Sequence, residues 1–325
     1  MPWHPRRRHV LAGHDYAVQR LMRAVAAGRQ HHAWLLTGPK GIGKATLGFA
    51  FARHLLAGTA AGSALEIGAE HMVSRLMAAG SHPDLLVLQR TFDSKKIKGE
   101  TSVEDARGVT GFLSRTSGFG GWRVVLVDTA DDLNTESANA LLKLIEEPPA
   151  QAQFILVSHR PGALLRTIRS RCVVVPLAPL CEADTLSVMR NLPPAAGVDE
   201  AALLMAVSLS GGSPGKALEL LASKGAKTFA AFSEKPVLTP ARCIELSASF
   251  AGRDSAEDFR IFTDLLVEWL TAQARAAALA GGGEALARAH DDIVTSLRQT
   301  DALNLDRRQA VLDALLALGD ALKAA

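Results

Sequence analysis

A glycine-rich loop between an apolar run and a helical pattern constrains the fold of this chain more than any other feature. The apolar run is Ala33–Thr37, the loop sequence over 38–46 is GPKGIGKAT, and an apolar helical pattern begins at Lys44. A strand, a loop of this spacing and a helix in succession are typical of a phosphate-binding P-loop. The glycines let successive backbone N–H groups point at phosphate oxygens, and the helix N-terminus adds a positive partial charge. The sequence therefore predicts an α/β domain with a parallel sheet.

The candidate nucleotide-binding residues of this loop are three glycines and a lysine: Gly38, Gly41, Gly43 and Lys44. The lysine would contact the β- and γ-phosphates, and the next residue should be Ser or Thr, whose hydroxyl ligates Mg²⁺. This chain has Ala45 there instead. Thr46 lies about 100° further around the helix and should point elsewhere. We therefore expect weakened Mg²⁺ coordination. A strand-to-helix turn without a ligand is the alternative interpretation.

A second candidate for metal contact follows another apolar run. The run Val124–Val127 ends in Asp128, where P-loop proteins hold Mg²⁺ through a carboxylate. Hydrolytic motors of this class usually place Glu next, which polarises the attacking water. This chain has Thr129, and a neutral hydroxyl is a poor general base. Asp131 and Asp132 are interpreted as capping residues. Together with the missing hydroxyl after the P-loop lysine, this pattern favours a degenerate ATPase site.

Arg171 is the candidate catalytic residue. It lies within Ile168–Cys172, directly before the apolar run Val173–Val175. An arginine at the rim of an α/β domain can enter a neighbouring subunit's nucleotide site, where its guanidinium stabilises charge on the transferring phosphoryl group. Such arginine fingers raise the rate by ~10³–10⁵. The alternative interpretation is a pair of surface arginines, Arg169 and Arg171, that solvate a helix end.

Short apolar runs alternate with helical patterns up to about Leu180. They are apolar at consecutive positions, which is typical of strands covered on both faces in a parallel sheet. Besides the two runs already described, the predicted strands are Leu85–Leu88, Phe154–Val157 and Val173–Val175. The helices predicted between them include Lys44–Leu56 and Ser137–Glu146.

Strand signals stop after Leu180. The predicted helices beyond it are Cys181–Asn191, Glu200–Ser210, Gly215–Ser223, Glu257–Leu270 and Arg307–Lys323, and the segment Lys224–Pro240 is mixed. We therefore expect three domains. They are an α/β P-loop domain over 1–180, a small helical domain over 181–226 and an all-α domain over 227–325, whose apolar stripes would serve oligomerisation.

Composition excludes several classes of protein. Hydrophobic residues make up 48% and charged residues 21%, which is typical of a globular protein rather than a disordered one. No apolar run approaches the ~18 residues of a membrane span, and no apolar segment of a signal peptide follows the N-terminal arginines. The three cysteines form no CxxC pair, which excludes a disulfide framework and a four-cysteine zinc site and fits the cytoplasm. They are Cys172, Cys181 and Cys243.

The charge balance bears on nucleic-acid binding. The net charge of +3 and the single tyrosine, Tyr16, disfavour a stand-alone nucleic-acid binder. A basic cluster beside Arg90 is interpreted as a solvated loop. Its members are Lys95, Lys96 and Lys98.

Several further motifs accompany the P-loop over roughly residues 10–220. They are His32–Pro39, Ser81–Asp84, Gly120–Val125 followed by Asp128, Asn139–Lys143, Glu146–Pro149 and Ile168–Cys172. In combination they resemble the delta-prime subunits of bacterial DNA polymerase III clamp loaders, a branch of the AAA+ family. The resemblance implies an AAA+ module, in which a helical lid follows the α/β domain, and then an all-α collar domain.

The same resemblance implies partners and site residues. Subunits of this family form a hetero-pentameric ring of motor, delta and delta-prime subunits that opens the sliding clamp and places it on primer-template DNA, without a membrane. A delta-prime subunit acts as a rigid stator, and Arg171 would complete the ATP site of the adjacent motor. Ser158 corresponds to the sensor 1 position. Lys216 corresponds to sensor 2, where active members carry Arg.

Two classes of function stay open at this point. The first is a replicative interaction subunit that contributes Arg171 in trans and turns over no ATP alone, and binding of ATP or ADP at its own site stays open. No zinc is expected in it, because residues 57–80 contain no cysteine. The second is an enzyme, either an ATP-hydrolysing AAA+ motor or a P-loop phosphotransferase. ATP hydrolysis by the isolated chain on the order of 1 s⁻¹ would favour the second class.

Overall fold

The computed structural model describes residues 4–28, 31–58, 65–89, 92–93, 96–97, 103–252 and 255–324, with only the backbone described before residue 108 in the helix that begins at 103 and in the two pairs at 92–93 and 96–97. The chain divides into two compact units. The first runs to residue 196 and includes 211–216, and the second comprises 197–210 and 217–325.

A five-stranded parallel sheet forms the centre of the first unit. Its strands are β1 (Ala33–Thr37), β2 (Leu85–Gln89), β5 (Arg123–Asp128), β6 (Ala152–Ser158) and β7 (Val173–Pro176), and a short antiparallel pair, β3 (Phe92–Asp93) and β4 (Lys96–Ile97), lies between β2 and β5 in the sequence. The strand order across the sheet is β2-β5-β6-β1-β7. All five strands predicted from consecutive apolar runs are therefore confirmed, each within two residues at either end.

Helices cover both faces of this sheet. They are α1 (Asp15–Ala26), α2 (Lys44–Ala57), α3 (Met72–Ala79), α4 (Val103–Leu113), α5 (Thr135–Glu146) and α6 (Arg166–Arg171). After β7 the chain continues into α7 (Glu182–Arg190). Alternate strand residues enter two separate cores. Leu36, Leu126 and Ile155 pack with α1, α2 and α3, whereas Leu35 and Phe154 pack with α4, α5 and α6. Burial on both faces explains why the strands are apolar at consecutive positions.

Among its described residues, the second unit contains helices, the turns between them and no strand. After α8 (Glu200–Leu209) and α9 (Pro214–Ala222) come α10 (Lys224–Glu234), α11 (Pro240–Ser247), α12 (Ala256–Leu279), α13 (Glu284–Leu303) and α14 (Arg307–Ala324). Its core contains a cluster of aromatic rings from α10, α12 and the short 3₁₀ helix Ala248–Phe250: Phe229, Phe232, Phe250, Phe259 and Phe262. The predicted fold class, an α/β domain with a parallel sheet followed by helical segments, is thus confirmed. None of the described helices is long and apolar enough to cross a membrane.

The segment over 181–226 is shared between the two units. α7 belongs to the first unit and α8 to the second, and the turn over 211–216 returns to the first. The division into three domains at 180 and 226 stays a prediction. The segment Lys224–Pro240, which sequence patterns left mixed, contains α10.

Candidate functional site

The glycine-rich loop joins the carboxyl end of β1 to the N-terminus of α2, as the sequence predicts. Gly38 has φ +142° and Gly41 has φ +80°, conformations that residues with a Cβ rarely adopt. A Cβ on Gly38 would also lie 2.4 Å from the carbonyl oxygen of Leu177. The backbone geometry of the loop therefore requires glycine at these positions, and Gly43 gives α2 a third positive-φ residue as its N-cap.

Lys44 is the first residue of α2 and is only 2% exposed. Its Nζ donates a hydrogen bond of 2.6 Å to the carbonyl oxygen of Gly38 and another to that of Pro39. Burial lowers the pKa of Lys44 to about 8, and the nearby carboxylates of Asp131 and Asp128 oppose this shift. The ammonium group thus lies within the loop, where a phosphate would meet it.

The metal-binding side of the site has fewer oxygen ligands. Ala45 follows the lysine and offers no side-chain oxygen, and Thr46 is the next residue of α2. Asp128 lies at the carboxyl end of β5, two strands away from β1. Burial raises its pKa, the charge of Lys44 opposes this rise, and Asp132 adds to it. The donor set therefore fits a phosphate better than it fits Mg²⁺.

Ser158 lies beside the P-loop but is bound to a carboxylate. It ends β6, is fully buried and pairs with Thr37, the last residue of β1. Its hydroxyl donates a hydrogen bond of 2.8 Å to Oδ1 of Asp131. Asp131 thus binds a residue 27 positions away in the sequence, in addition to any local capping contact.

Asp131 accepts three further hydrogen bonds. The donors are the hydroxyl of Thr129 at 2.9 Å, the backbone N–H of His159 at 2.5 Å and that of Arg160 at 3.3 Å. Burial acts to raise the pKa of Asp131, but these hydrogen bonds outweigh it, and the pKa lies below its usual value. The interpretation of Asp131 as a capping residue is therefore incomplete, because three of its four donors come from Ser158–Arg160.

The start of α9, where the predicted sensor 2 residue lies, and Ser213 directly before it pack on the P-loop. The hydroxyl of Ser213 donates a 2.9 Å hydrogen bond to the carbonyl oxygen of Lys40, and the N–H of Gly215 donates one of 3.0 Å to that of Gly41. Lys216 follows directly at the start of α9 and is partly exposed. The structure therefore brings Lys216 into the same unit as the P-loop.

Two histidines that sequence reasoning missed also lie at this edge. One ring nitrogen of His14 is 2.8 Å from the carbonyl oxygen of Ile42 in the loop. Burial lowers the pKa of His159, and the charge of Lys44 lowers it further. No local pattern points to His14, because it precedes α1 and lies 28 residues from its contact. The position of His159 next to Ser158 is the one signal that could have suggested it.

Arg171 lies at the opposite end of the same sheet, where the parallel strands begin. It ends α6, two residues before β7, and the first residue of β7 pairs with Trp34 near the start of β1. The P-loop follows the end of β1. A strand of five residues spans about 16 Å, so Arg171 and Lys44 are separated by roughly the height of the sheet. The structure thus brings the predicted nucleotide-binding residues together and separates Arg171 from them.

The Arg171 guanidinium is partly exposed and makes specific contacts. It forms an ion pair of 2.8 Å with Glu146 and donates a hydrogen bond of 3.2 Å to the carbonyl oxygen of Thr167. Arg171 and Glu146 border a surface cavity of about 410 Å³. The cavity is lined by His31, His32, Ile145, Glu146, Glu147 and Arg171.

Other sequence predictions concern metal ions and basic residues. Among the residues that the structure describes, no group of three or more His, Cys, Asp or Glu side chains could hold a metal ion. Lys95 and Lys98 of the basic cluster, and Arg90 beside it, lie outside the described residues, and only the backbone of Lys96 is described.

Similar sequences identify the family of this chain. Residues 13–181 match the protein family described as "DNA polymerase III, delta subunit". The chain is similar to DNA polymerase III subunit delta' of Pseudomonas aeruginosa, at 41% identity over 61% of this chain and 59% of that protein. It is 38% identical to DNA polymerase III subunit delta' of Escherichia coli K12, over 62% of this chain and 58% of that protein. The alignments thus span less than two thirds of these relatives.

Among solved structures, the chain is similar to a DNA polymerase III gamma subunit-related protein of Thermotoga maritima, with a TM-score of 0.44 and 14% identity over 92% of this chain and 99% of that one. The matched family segment contains the P-loop, Asp128, Ser158 and Arg171, and it ends at residue 181. Because that segment covers more than half of the 325 residues, the chain belongs to the DNA polymerase III delta subunit family.

Proposed function

We propose that this chain is a stator subunit of a DNA polymerase III clamp loader and supplies Arg171 as an arginine finger to the ATP site of a neighbouring motor subunit. The observation that carries this proposal is the position of Arg171 at the sheet edge opposite Lys44. An arginine side chain is shorter than the roughly 16 Å between these edges. Arg171 can therefore stabilise phosphoryl transfer only at a site on another chain.

The surroundings of Arg171 support this role. Its side chain is 40% exposed, so a neighbouring chain can approach it, and the adjacent cavity of about 410 Å³ leaves room for part of a ligand. Arginine has five N–H donors in a planar fork, and the contacts with Glu146, Thr167 and the hydroxyl of Ser170 use three of them. The remaining donors are free to bind phosphate oxygens of a second chain's nucleotide.

The chain's own P-loop is proposed to bind the phosphates of ATP or ADP with little hydrolysis. The buried Lys44 and the glycine-rich backbone fit phosphate oxygens. Ala45 lacks the hydroxyl that would ligate Mg²⁺, and the hydroxyl of Thr129 donates to Asp131. Lys44 and the backbone amides of the loop would hold the phosphates of a nucleotide bound here, and the negative charge of those phosphates would pair with the Lys44 ammonium group.

The proposed partners follow from the same role. They are the motor and delta subunits of a hetero-pentameric ring in the cytoplasm, and through that ring the sliding clamp and primer-template DNA. Relatives named as DNA polymerase III subunits delta', gamma and tau support an assembly of this kind.

The test is ATP turnover by the reconstituted clamp loader with clamp and primed DNA. We expect Arg171→Ala to lower turnover at the neighbouring motor site by ~10³ or more, and total turnover by at least that site's share. Arg169→Ala is the matched control, because Arg169 is an exposed arginine on the same helix. Unchanged turnover of an intact Arg171→Ala ring would contradict the proposal.

The second candidate is an ATP-hydrolysing motor or a P-loop phosphotransferase, and the buried Lys44 is the observation in its favour. The isolated chain distinguishes the two. Turnover on the order of 1 s⁻¹, abolished by Lys44→Ala, would support the second candidate. Turnover far below that rate would support the stator.

A further inference from the structure

The segment that leads to Arg171 begins at a carboxylate. Residues 159–165 follow β6 and lead into α6, which ends at Arg171. At the start of this segment, Asp131 accepts the N–H groups of His159 and Arg160 and the hydroxyl of Ser158. Asp131 comes from the 3₁₀ turn Ala130–Asp132 that follows β5, so these contacts join two neighbouring strands at their carboxyl ends.

The contact with Asp131 occupies the hydroxyl proton of Ser158, the residue at the predicted sensor 1 position. A serine hydroxyl has a single proton to donate, and that of Ser158 is donated to Asp131 at 2.8 Å. The same proton cannot be donated to a phosphate oxygen at Lys44. A charged carboxylate with four donors forms stronger hydrogen bonds than a neutral acceptor would, and the buried surroundings strengthen them further.

We propose that Asp131 is a positioning residue that holds the segment before Arg171 in one place, whether or not nucleotide is bound at Lys44. Its carboxylate accepts the hydroxyl of Ser158 and the N–H groups of His159 and Arg160 without any contact from a nucleotide. This inference rests on the proposed function for its consequence in the ring. The anchoring itself concerns this chain alone.

Glu146 holds the other end of the same segment. It is the last residue of α5 and forms the 2.8 Å ion pair with Arg171. The segment over 158–171 is therefore bound at its start and at its end by carboxylates that precede it in the sequence. Since Glu146 is partly exposed and Asp131 accepts four hydrogen bonds, Asp131 provides the stronger anchor.

The first test uses the full chain by itself. Amide hydrogen exchange at His159 and Arg160 is measured in the wild type with and without ADP, and in Asp131→Ala and Asp131→Asn. We expect Asp131→Ala to speed exchange about tenfold or more, Asp131→Asn to have a smaller effect, and ADP to change nothing at these two amides in the wild type. Glu136→Gln is the control, because it removes an exposed carboxylate at the start of α5.

Two results would overturn the inference. They are a change of exchange at these amides when ADP binds to the wild type, or unchanged exchange in both Asp131 variants. Asp131→Asn keeps one carbonyl oxygen as an acceptor, so it reports on the contacts even where Asp131→Ala fails to fold.

The second test uses the reconstituted clamp loader. We expect Asp131→Ala to lower kcat of the neighbouring motor with little change in its KM for ATP, Asp131→Asn to restore part of kcat, and Glu136→Gln to match the wild type. A kcat equal to the wild type's in Asp131→Ala, while Arg171→Ala lowers turnover, would overturn the inference and leave the proposed function intact. If Arg171→Ala also has no effect, the proposed function fails and the exchange measurement still decides the anchoring.

Discussion

Lys44 keeps its charge in a place that water barely reaches. It is 2% exposed, and burial lowers its pKa from the usual 10.5 to about 8. The unfolded chain holds this proton up to about pH 10.5, so between pH 8 and 10.5 it binds more protons than the folded chain. This lysine therefore makes the folded state relatively more stable as pH rises through that window. Its attraction for phosphate falls over the same pH range, because the deprotonated amine carries no charge.

The first prediction concerns nucleotide affinity. The Kd of the isolated chain for ADP should be nearly constant below pH 7.5 and should rise between pH 8 and 9 by up to about tenfold per pH unit, because Lys44 loses its proton through a pKa of about 8. Titration with a fluorescent ADP analogue at several pH values checks this. Lys44→Ala should bind weakly at every pH and lose the dependence. Equal affinity of the wild type at pH 7 and pH 9 would contradict it.

The second prediction concerns Asp84, which lies in the motif over 81–84. It is 3% exposed, and its carboxylate accepts the N–H groups of Gly118 at 2.7 Å and Phe119 at 3.1 Å. Asp84→Ala should lower the free energy of unfolding by about 1–3 kcal/mol, because it leaves these amides without their acceptor. Urea denaturation followed by circular dichroism measures the change. Asp292→Ala, on the exposed face of α13, should leave the midpoint unchanged.

Sequence reasoning found the residues of the P-loop but not the network beside it. The P-loop is recognisable because its glycines and lysine are contiguous. Asp131 gave no comparable signal, since the donors Ser158, His159 and Arg160 are 27–29 residues away from it. Contacts over such distances depend on which strands become neighbours, and no local spacing encodes that.

Among the elements, α10 shows how a helix escapes a search for apolar periodicity. Its buried residues include Gly225, Ala226 and Thr228, which are small or polar, and only Phe229 and Phe232 are large. Gly225 packs directly against α12, where a Cβ would lie 2.0 Å from the carbonyl oxygen of Asp258. The close approach of the two helices requires a residue without a side chain at this position. A glycine there interrupts the repeat of large apolar residues by which a helix is predicted. The parallel strands were predicted correctly because burial on both faces leaves a continuous apolar run.

The third prediction tests this close approach. Gly225→Ala should lower the free energy of unfolding by about 1–3 kcal/mol, because the added methyl group meets backbone that cannot move without separating α10 from α12. Gly282→Ala is the control, since a Cβ there would meet open space, and its effect should stay within about 0.5 kcal/mol. Chemical denaturation of both variants measures the difference. Equal stability of Gly225→Ala and the wild type would show that the helices are not packed this closely.

At the scale of the whole molecule, the two ends of the parallel sheet have different proposed tasks. The carboxyl end, with the P-loop, Asp128 and Ser158, is the proposed nucleotide site of this chain. The amino end carries Arg171 beside its surface cavity. The parallel sheet and its helices followed from the sequence, because strand and helix patterns alternate. The separation of Arg171 from Lys44 could not be predicted in the same way, because it depends on the strand order, in which β7 lies directly beside β1.

A single turnover of ATP on pre-assembled clamp loaders tests whether Arg171 acts as an arginine finger, because it separates phosphoryl transfer from ring assembly. Rings containing the wild type, Arg171→Ala, Arg171→Lys or Arg169→Ala are isolated intact, mixed with clamp, primed DNA and limiting ATP, and quenched over time. We predict that phosphoryl transfer at the neighbouring site slows by ~10³ or more in Arg171→Ala, stays slow in Arg171→Lys because the planar fork is lost, and equals the wild type in Arg169→Ala. Equal rates in the wild type and Arg171→Ala would contradict it.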